Sequence, residues 1–130
     1  MKTVLIITDE SVESVKMAAG IKTALKGNKV SVKSASDFRG NDLLPADVFF
    51  LGCEKSKPES FDYLADVLKH INLAGRHCGL FSMGSPGTVK FLSSIVKDSE
   101  IRCYEPLLAG KIEEITPWVE GIIQKIDKPE

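Results

Sequence analysis

The amino-acid sequence predicts an α/β fold: a three-layer sandwich in which helices cover both faces of a sheet of five parallel strands. Two patterns alternate along the 130 residues. Short apolar runs are typical of buried strands, and apolar residues spaced by three and four are typical of amphipathic helices. Turn residues separate the two patterns, among them Gly27 and Asn28 after the first helix and Pro45 before the third strand. Length and composition suit one domain over residues 1–130.

Each element follows from a local pattern. The strands are predicted at residues 3–7, 30–34, 48–51, 78–81 and 101–104. The helices are predicted from four apolar faces, formed by Val15, Ala18, Ile21 and Leu25; Phe61, Leu64, Leu68 and Ile71; Val89, Leu92 and Val96; and Ile112, Ile115, Val119, Ile122 and Ile126. Residues 36–44 are too few for a covering helix, so a single turn or a loop is expected there. Pro86 suits the first position of the third long helix.

Composition excludes several classes of function. The net charge is −1 and the 17 basic residues are scattered, which argues against a nucleic-acid or anionic membrane surface. No apolar run approaches the roughly 18 residues of a membrane span, and the opening run is too short for a signal peptide. Three cysteines without a CxxC pair indicate reduced thiols. We therefore expect a cytoplasmic protein, and its oligomeric state stays open.

A ligand site is expected beyond the carboxyl ends of strands one and three, where a sheet of order 2-1-3-4-5 reverses direction. Loops 8–14, 52–59 and 82–87 would face that crevice, and Ser11 or Asp9 is expected at the start of the first helix. The candidate binding residues are Thr8, Asp9, Glu10, Ser11, Ser14, Cys53, Glu54, Ser82, Met83, Gly84 and Ser85. Neither histidine falls there, and no nucleophile–base pair or metal-ligand spacing is present, so no catalytic residue is predicted. If the crevice is open and empty, Cys53 is expected to be the most reactive thiol, because the other two would lie in strands buried by helices.

Three segments resemble flavodoxins. They are residues 73–84 (LAGRHCGLFSMG), residues 104–110 (YEPLLAG), and Leu51-Gly52 followed by Phe61-x-x-Leu64. The resemblance implies the flavodoxin-like fold, flavin mononucleotide (FMN) held by the three crevice loops, and electron transfer between protein partners. It implies no acid or base from the chain, because the flavin carries the chemistry.

The three loops depart from the family pattern. Where flavodoxins usually wrap the phosphate with serine or threonine and a glycine, this chain has Asp9, Glu10 and Glu13 and no glycine. Like charges about 4–6 Å apart cost on the order of 1 kcal/mol or more in partly buried surroundings. Loops 53–59 and 82–87 lack the aromatic residue that commonly stacks on the flavin. The sequence therefore predicts weak FMN binding at best.

The alternative is a flavodoxin-fold binding or signalling module that has lost the flavin. Asp9 and Glu10 resemble the acidic pair of response-regulator receivers, and Glu54 could add a third carboxylate for Mg²⁺. A phosphorelay is not expected. Gly52-Cys53 stands where a receiver has its phosphate-accepting aspartate, and Glu105 stands where it has a lysine.

Overall fold

The computed structural model describes residues 2–83, 86–108 and 112–127. Its strands are β1 (Thr3–Thr8), β2 (Lys29–Ser34), β3 (Val48–Gly52), β4 (His77–Ser82), β5 (Arg102–Cys103) and β6 (Leu107–Leu108). Its α-helices are α1 (Val12–Ala24), α2 (Asp62–His70), α3 (Pro86–Val96) and α4 (Ile115–Asp127). Between β2 and β3 lies one 3-10 turn, Gly40–Leu43, so the expectation of a single turn there is confirmed.

The sheet is parallel and has the order β2-β1-β3-β4-β5, which confirms the predicted order. The strands are in a register that brings their carboxyl ends together. Thr8 pairs with Gly52, and Gly52 pairs with Phe81. The loops that follow β1, β3 and β4 therefore begin side by side at one edge of the sheet.

The last strand position differs from the prediction. Instead of one strand over residues 101–104, two short strands pair with β4: Cys103 of β5 opposite Cys78, and Leu107 of β6 opposite Phe81. Pro106 lies between them, and a proline has no N–H to donate to the ladder. The sheet therefore has six strands in the described part of the chain, not five. Cys103 is exposed at this sheet edge, so the expectation that helices bury it is wrong.

Helices cover both faces of the sheet. One core cluster joins the α1 and α4 side chains to one face, and the other joins those of α2 and α3 to the opposite face. On α1 the buried row is Ser14, Met17, Ala18 and Ile21. The predicted face is therefore partly wrong: Val15 is exposed, as is Ile112 before α4. Spacing alone does not decide which residues at the margin of an apolar helical face are buried. Contact with the sheet decides it.

Two glycines in the strands permit close packing. A Cβ at Gly52 would lie 2.2 Å from the Phe81 ring, and one at Gly79 would lie 2.8 Å from the Phe50 ring. Gly52 ends β3 at the edge where the loops meet. In the described residues, no helix is long and apolar enough to cross a membrane.

Candidate functional site

The β1–α1 loop and the loop after β3 are joined through their backbones. Thr8, the last residue of β1, is buried, and the next N–H, that of Asp9, donates to the carbonyl of Gly52 at 3.3 Å. This bond extends the β1–β3 pairing by one residue. The loops after the two strands therefore leave the sheet from one bonded pair of residues.

The Asp9 carboxylate is the centre of the site. One oxygen accepts the N–H of Glu54 at 3.0 Å, and the other accepts the hydroxyl of Ser11 at 2.8 Å. Ser11 in turn caps α1, because its hydroxyl oxygen accepts the N–H of Ser14 at 3.3 Å. The expectation that Ser11 or Asp9 begins the first helix is confirmed. Asp9 is only 7% exposed, so this carboxylate is an internal anion beside the helix N-terminus.

Glu10 bonds away from Asp9, toward the neighbouring strand. Its carboxylate accepts the hydroxyls of Ser34 and Ser36 at 3.1 and 3.0 Å, at the end of β2. The contact that Glu54 makes with Asp9 uses its backbone, not its carboxylate. Among the described residues no three His, Cys, Asp or Glu side chains are grouped to hold a metal ion. The acidic residues therefore do not converge into a receiver-like pocket.

The loop after β3 is also bonded on its other side. The Ser82 hydroxyl donates to the carbonyl of Cys53 at 2.8 Å. The Thr88 hydroxyl, in the first turn of α3, donates to the carbonyl of Glu54 at 3.3 Å and lies 3.4 Å from the Ser56 hydroxyl. Thr88 is buried and was not among the residues predicted from the sequence. The sequence did contain a sign of it, because Thr88 is a hydroxyl residue two positions after Pro86, in the first turn of a predicted helix at the ligand edge.

Cys53 does not have the environment that was predicted for it. Its side chain is fully buried and its thiol donates to the carbonyl of Lys55 at 3.2 Å. Burial, together with the charge of Asp9, raises the pKa of the Cys53 thiol to about 12. The accessible position that the reactivity prediction assumed is wrong, since Cys53 is buried, and a raised pKa makes a thiol a poorer nucleophile.

Among the remaining predicted residues, Met83 is half-buried and packs against the core on the α1 and α4 face of the sheet. Gly84 and Ser85 lie outside the described residues. Large apolar side chains are exposed in the first turns of α1, at the end of β6 and just before α4. They are Val12, Val15, Leu108 and Ile112.

Neither a family model nor a curated protein matches this sequence. Solved structures do match. Oxidised flavodoxin 2 from Bacillus cereus has a TM-score of 0.80 at 18% identity, covering 95% of this chain and 99% of that one. A flavodoxin from Fusobacterium nucleatum bound to FMN has a TM-score of 0.78 at 14% identity, covering 96% and 99%. The flavodoxin of the Streptococcus pneumonia strain TIGR4 has a TM-score of 0.78 at 16% identity, covering 95% of this chain and 99% of that one.

These similarities extend over nearly the full length of both chains, and they agree with the strand order and the two helix layers. Identities of this size establish a shared architecture and leave the chemistry to the site. The chain has the flavodoxin-like fold.

Proposed function

We propose that this protein is a flavodoxin-fold binding module that docks a protein partner at the carboxyl edge of its sheet, and that FMN is not its resident cofactor. The observation that carries the proposal is the Asp9 carboxylate. It is buried beside the N-terminus of α1 and bonded by the Glu54 N–H and the Ser11 hydroxyl.

The residues of the first loop do not fit the phosphate of FMN. A helix N-terminus favours one anion through its free N–H groups and its dipole. Here the Asp9 carboxylate lies beside that terminus, bonded to the hydroxyl of the N-cap residue Ser11, and the N–H of Ser14 is already bonded to Ser11. A phosphate brought to the same place would meet a buried carboxylate of like charge, in surroundings that screen charge less than water does.

The other two loops fit the flavin ring no better. Neither offers an aromatic side chain for stacking, which would contribute about 0.5–1.5 kcal/mol beyond area burial. The bonds from Thr88 to Glu54 and Ser56 fasten the loop after β3 onto α3.

Exposed apolar side chains support the docking part of the proposal. Val12 is 67% exposed and Val15 is 52% exposed, both on the first turns of the helix that Asp9 precedes. Leu108, in register with Ser82, is 43% exposed. Val12 and Val15 are one helical turn apart and therefore adjacent on the surface of α1. Adjacent exposed apolar residues are typical of protein–protein contact sites, whereas single ones are ordinary.

The second candidate is an FMN-binding electron carrier. It is favoured by the FMN-bound Fusobacterium nucleatum flavodoxin among the proteins of this fold. In that case the binding residues would be those of the three loops, Thr8 to Ser14, Cys53 to Glu54 and Ser82 to Ser85. The flavin would supply the one-electron chemistry, and the chain would only bind and orient it.

An FMN titration separates the two candidates. We expect the purified protein to quench FMN fluorescence with a dissociation constant no tighter than roughly 1 μM, about −8 kcal/mol. Asp9→Asn keeps the shape and removes the charge, so FMN should bind about tenfold more tightly to that variant, which is about 1.4 kcal/mol. Glu10→Gln makes the same charge change at an exposed residue bonded toward β2 and should leave the affinity unchanged. Nanomolar binding to the unaltered protein would establish the electron carrier instead.

Docking is tested with a photo-crosslinking amino acid in cells. Placed at Val15, it should give one discrete adduct, which Val12→Asp should abolish. Placed at Lys26, exposed beyond the other end of α1, it should give none. Adducts of equal yield from both positions, or from neither, would contradict docking at this edge.

A further inference from the structure

Two of the three cysteines face each other across neighbouring strands, away from the ligand edge. Cys78 of β4 and Cys103 of β5 are in-register partners. In-register side chains of parallel strands lie on the same face of the sheet, and the strands are about 4.8 Å apart. A disulfide requires a Cα···Cα distance of roughly 4.4–6.8 Å. The register therefore holds the two residues within bridging distance, and both are free thiols.

The two thiols differ in access and in acidity. Cys78 is fully buried, whereas Cys103 is exposed at the sheet edge. A hydrogen bond between them, followed by burial, raises the pKa of the Cys78 thiol, and the same bond lowers the pKa of the Cys103 thiol. Cys103 is thus the thiol that solvent reaches and that ionises first. Exposed thiols with a lowered pKa beside a second cysteine are typical of oxidation-sensitive sites.

We propose that Cys103 and Cys78 form a peroxide-sensitive modification site, in which Cys103 is oxidised first and Cys78 resolves it to an intramolecular disulfide. The Cys103 thiolate attacks one oxygen of hydrogen peroxide, the O–O bond breaks, and Cys103 becomes a sulfenic acid while the other oxygen leaves as water after protonation. The Cys78 thiol then attacks the sulfenic sulfur as its proton passes to the departing hydroxyl, the S–O bond breaks, and a second water leaves. In total the two thiols lose two electrons and two hydrogens to the peroxide.

Cys53 is a control already present in the chain. It is buried, and its thiol is bonded to the carbonyl of Lys55. We expect it to react with peroxide at least about tenfold more slowly than Cys103, because the thiolate is the reactive form. The inference is independent of whether FMN binds, since β5 lies at the sheet edge and the Cys78–Cys103 pair is four residues before the end of β4.

The experiment maps the thiols of the full-length protein after treatment with one equivalent of hydrogen peroxide. Trypsin releases Cys53, Cys78 and Cys103 on separate peptides, residues 40–55, 77–90 and 103–111. We expect residues 77–90 and 103–111 to be disulfide-linked before reduction, the intact monomer to lose two hydrogens, and Cys53 to stay open to alkylation after unfolding.

Variants identify the order of events. In Cys78→Ala the disulfide should be lost and Cys103 should be trapped by dimedone as its sulfenic acid, whereas Cys53→Ala should still form the disulfide. If Cys78→Ala does not fold, the peptide map of the unaltered protein still tests the proposal, through the presence or absence of the disulfide between residues 77–90 and 103–111. The proposal is wrong if the unaltered protein accumulates dimedone-labelled Cys103 without the disulfide, forms dimers through Cys103, or loses Cys53 at an equal rate.

Discussion

Replacing Gly52 by alanine should destabilise the protein strongly, because the new methyl group would overlap a packed ring. An ideal Cβ at Gly52 lies 2.2, 2.4 and 2.5 Å from three atoms of the Phe81 ring. That ring is fully buried and lies 6.4 Å from the Trp118 ring, so it has little room to move. Overpacking typically costs about 1–3 kcal/mol, and we expect about 3 kcal/mol here, or roughly 10 °C in melting temperature.

Urea unfolding followed by the fluorescence of the single tryptophan, Trp118, measures this cost. Gly121→Ala is the matched control, because its Cβ would meet nothing within 4 Å inside α4. There the same substitution should raise the free energy of unfolding by about 0.5–1 kcal/mol, through helix propensity.

A double variant tests the cause directly. With Phe81→Leu already present, adding Gly52→Ala should cost far less than it does alone, since the overlapping ring atoms are gone. A loss below about 0.5 kcal/mol for Gly52→Ala alone would refute the reasoning, as this is the ordinary scatter of surface substitutions.

Two further predictions concern pH. Burial, with the charges of Arg102 and Lys2, lowers the pKa of His77. The unfolded chain then binds the proton more readily, so the free energy of unfolding should fall as pH decreases below 6.5, and His77→Gln should flatten that slope in urea titrations. The raised pKa of Cys53 has its effect at high pH. The free energy of unfolding should fall from pH 9 toward pH 12, because the thiol ionises at lower pH in the unfolded chain than in the folded one. Asp9→Asn should lower the pKa of Cys53, seen as faster alkylation of its peptide at high pH, and an unchanged rate would contradict the Asp9 contribution.

The architecture was predictable because it depends on patterns that are local in sequence. Short apolar runs and helical spacings specify element types, and the rules of parallel sheets then restrict the order of strands. The split of the last strand was not predicted, although Pro106 was visible, because a missing N–H matters only once a neighbouring strand is there to accept it. One residue of the predicted α1 face was wrong for a similar reason, while the other three are buried as predicted. Val15 and Met17 both fit an apolar face, and only contact with the sheet shows that Met17 is the buried one.

The candidate site was predicted in position more than in chemistry. Sequence analysis placed Asp9, Ser11 and Glu54 at one edge, and the strand register brings them together. It treated Asp9 and Glu10 as one acidic pair. In the folded chain they bond to different neighbours, because adjacent residues leave a strand end in different directions and each side chain bonds to the donors it meets.

By itself the sequence determined the fold class, the strand order, the capped start of α1 and the absence of a phosphate-binding glycine in the first loop. Tertiary structure alone decided that Cys53 is buried, that Cys103 is exposed beside Cys78, and that Thr88 fastens the loop after β3. The physical reason is the distance along the chain over which each interaction acts. Periodicity, capping and turn chemistry act between residues a few positions apart, whereas burial, register and a buried hydrogen bond depend on groups that only folding brings into contact.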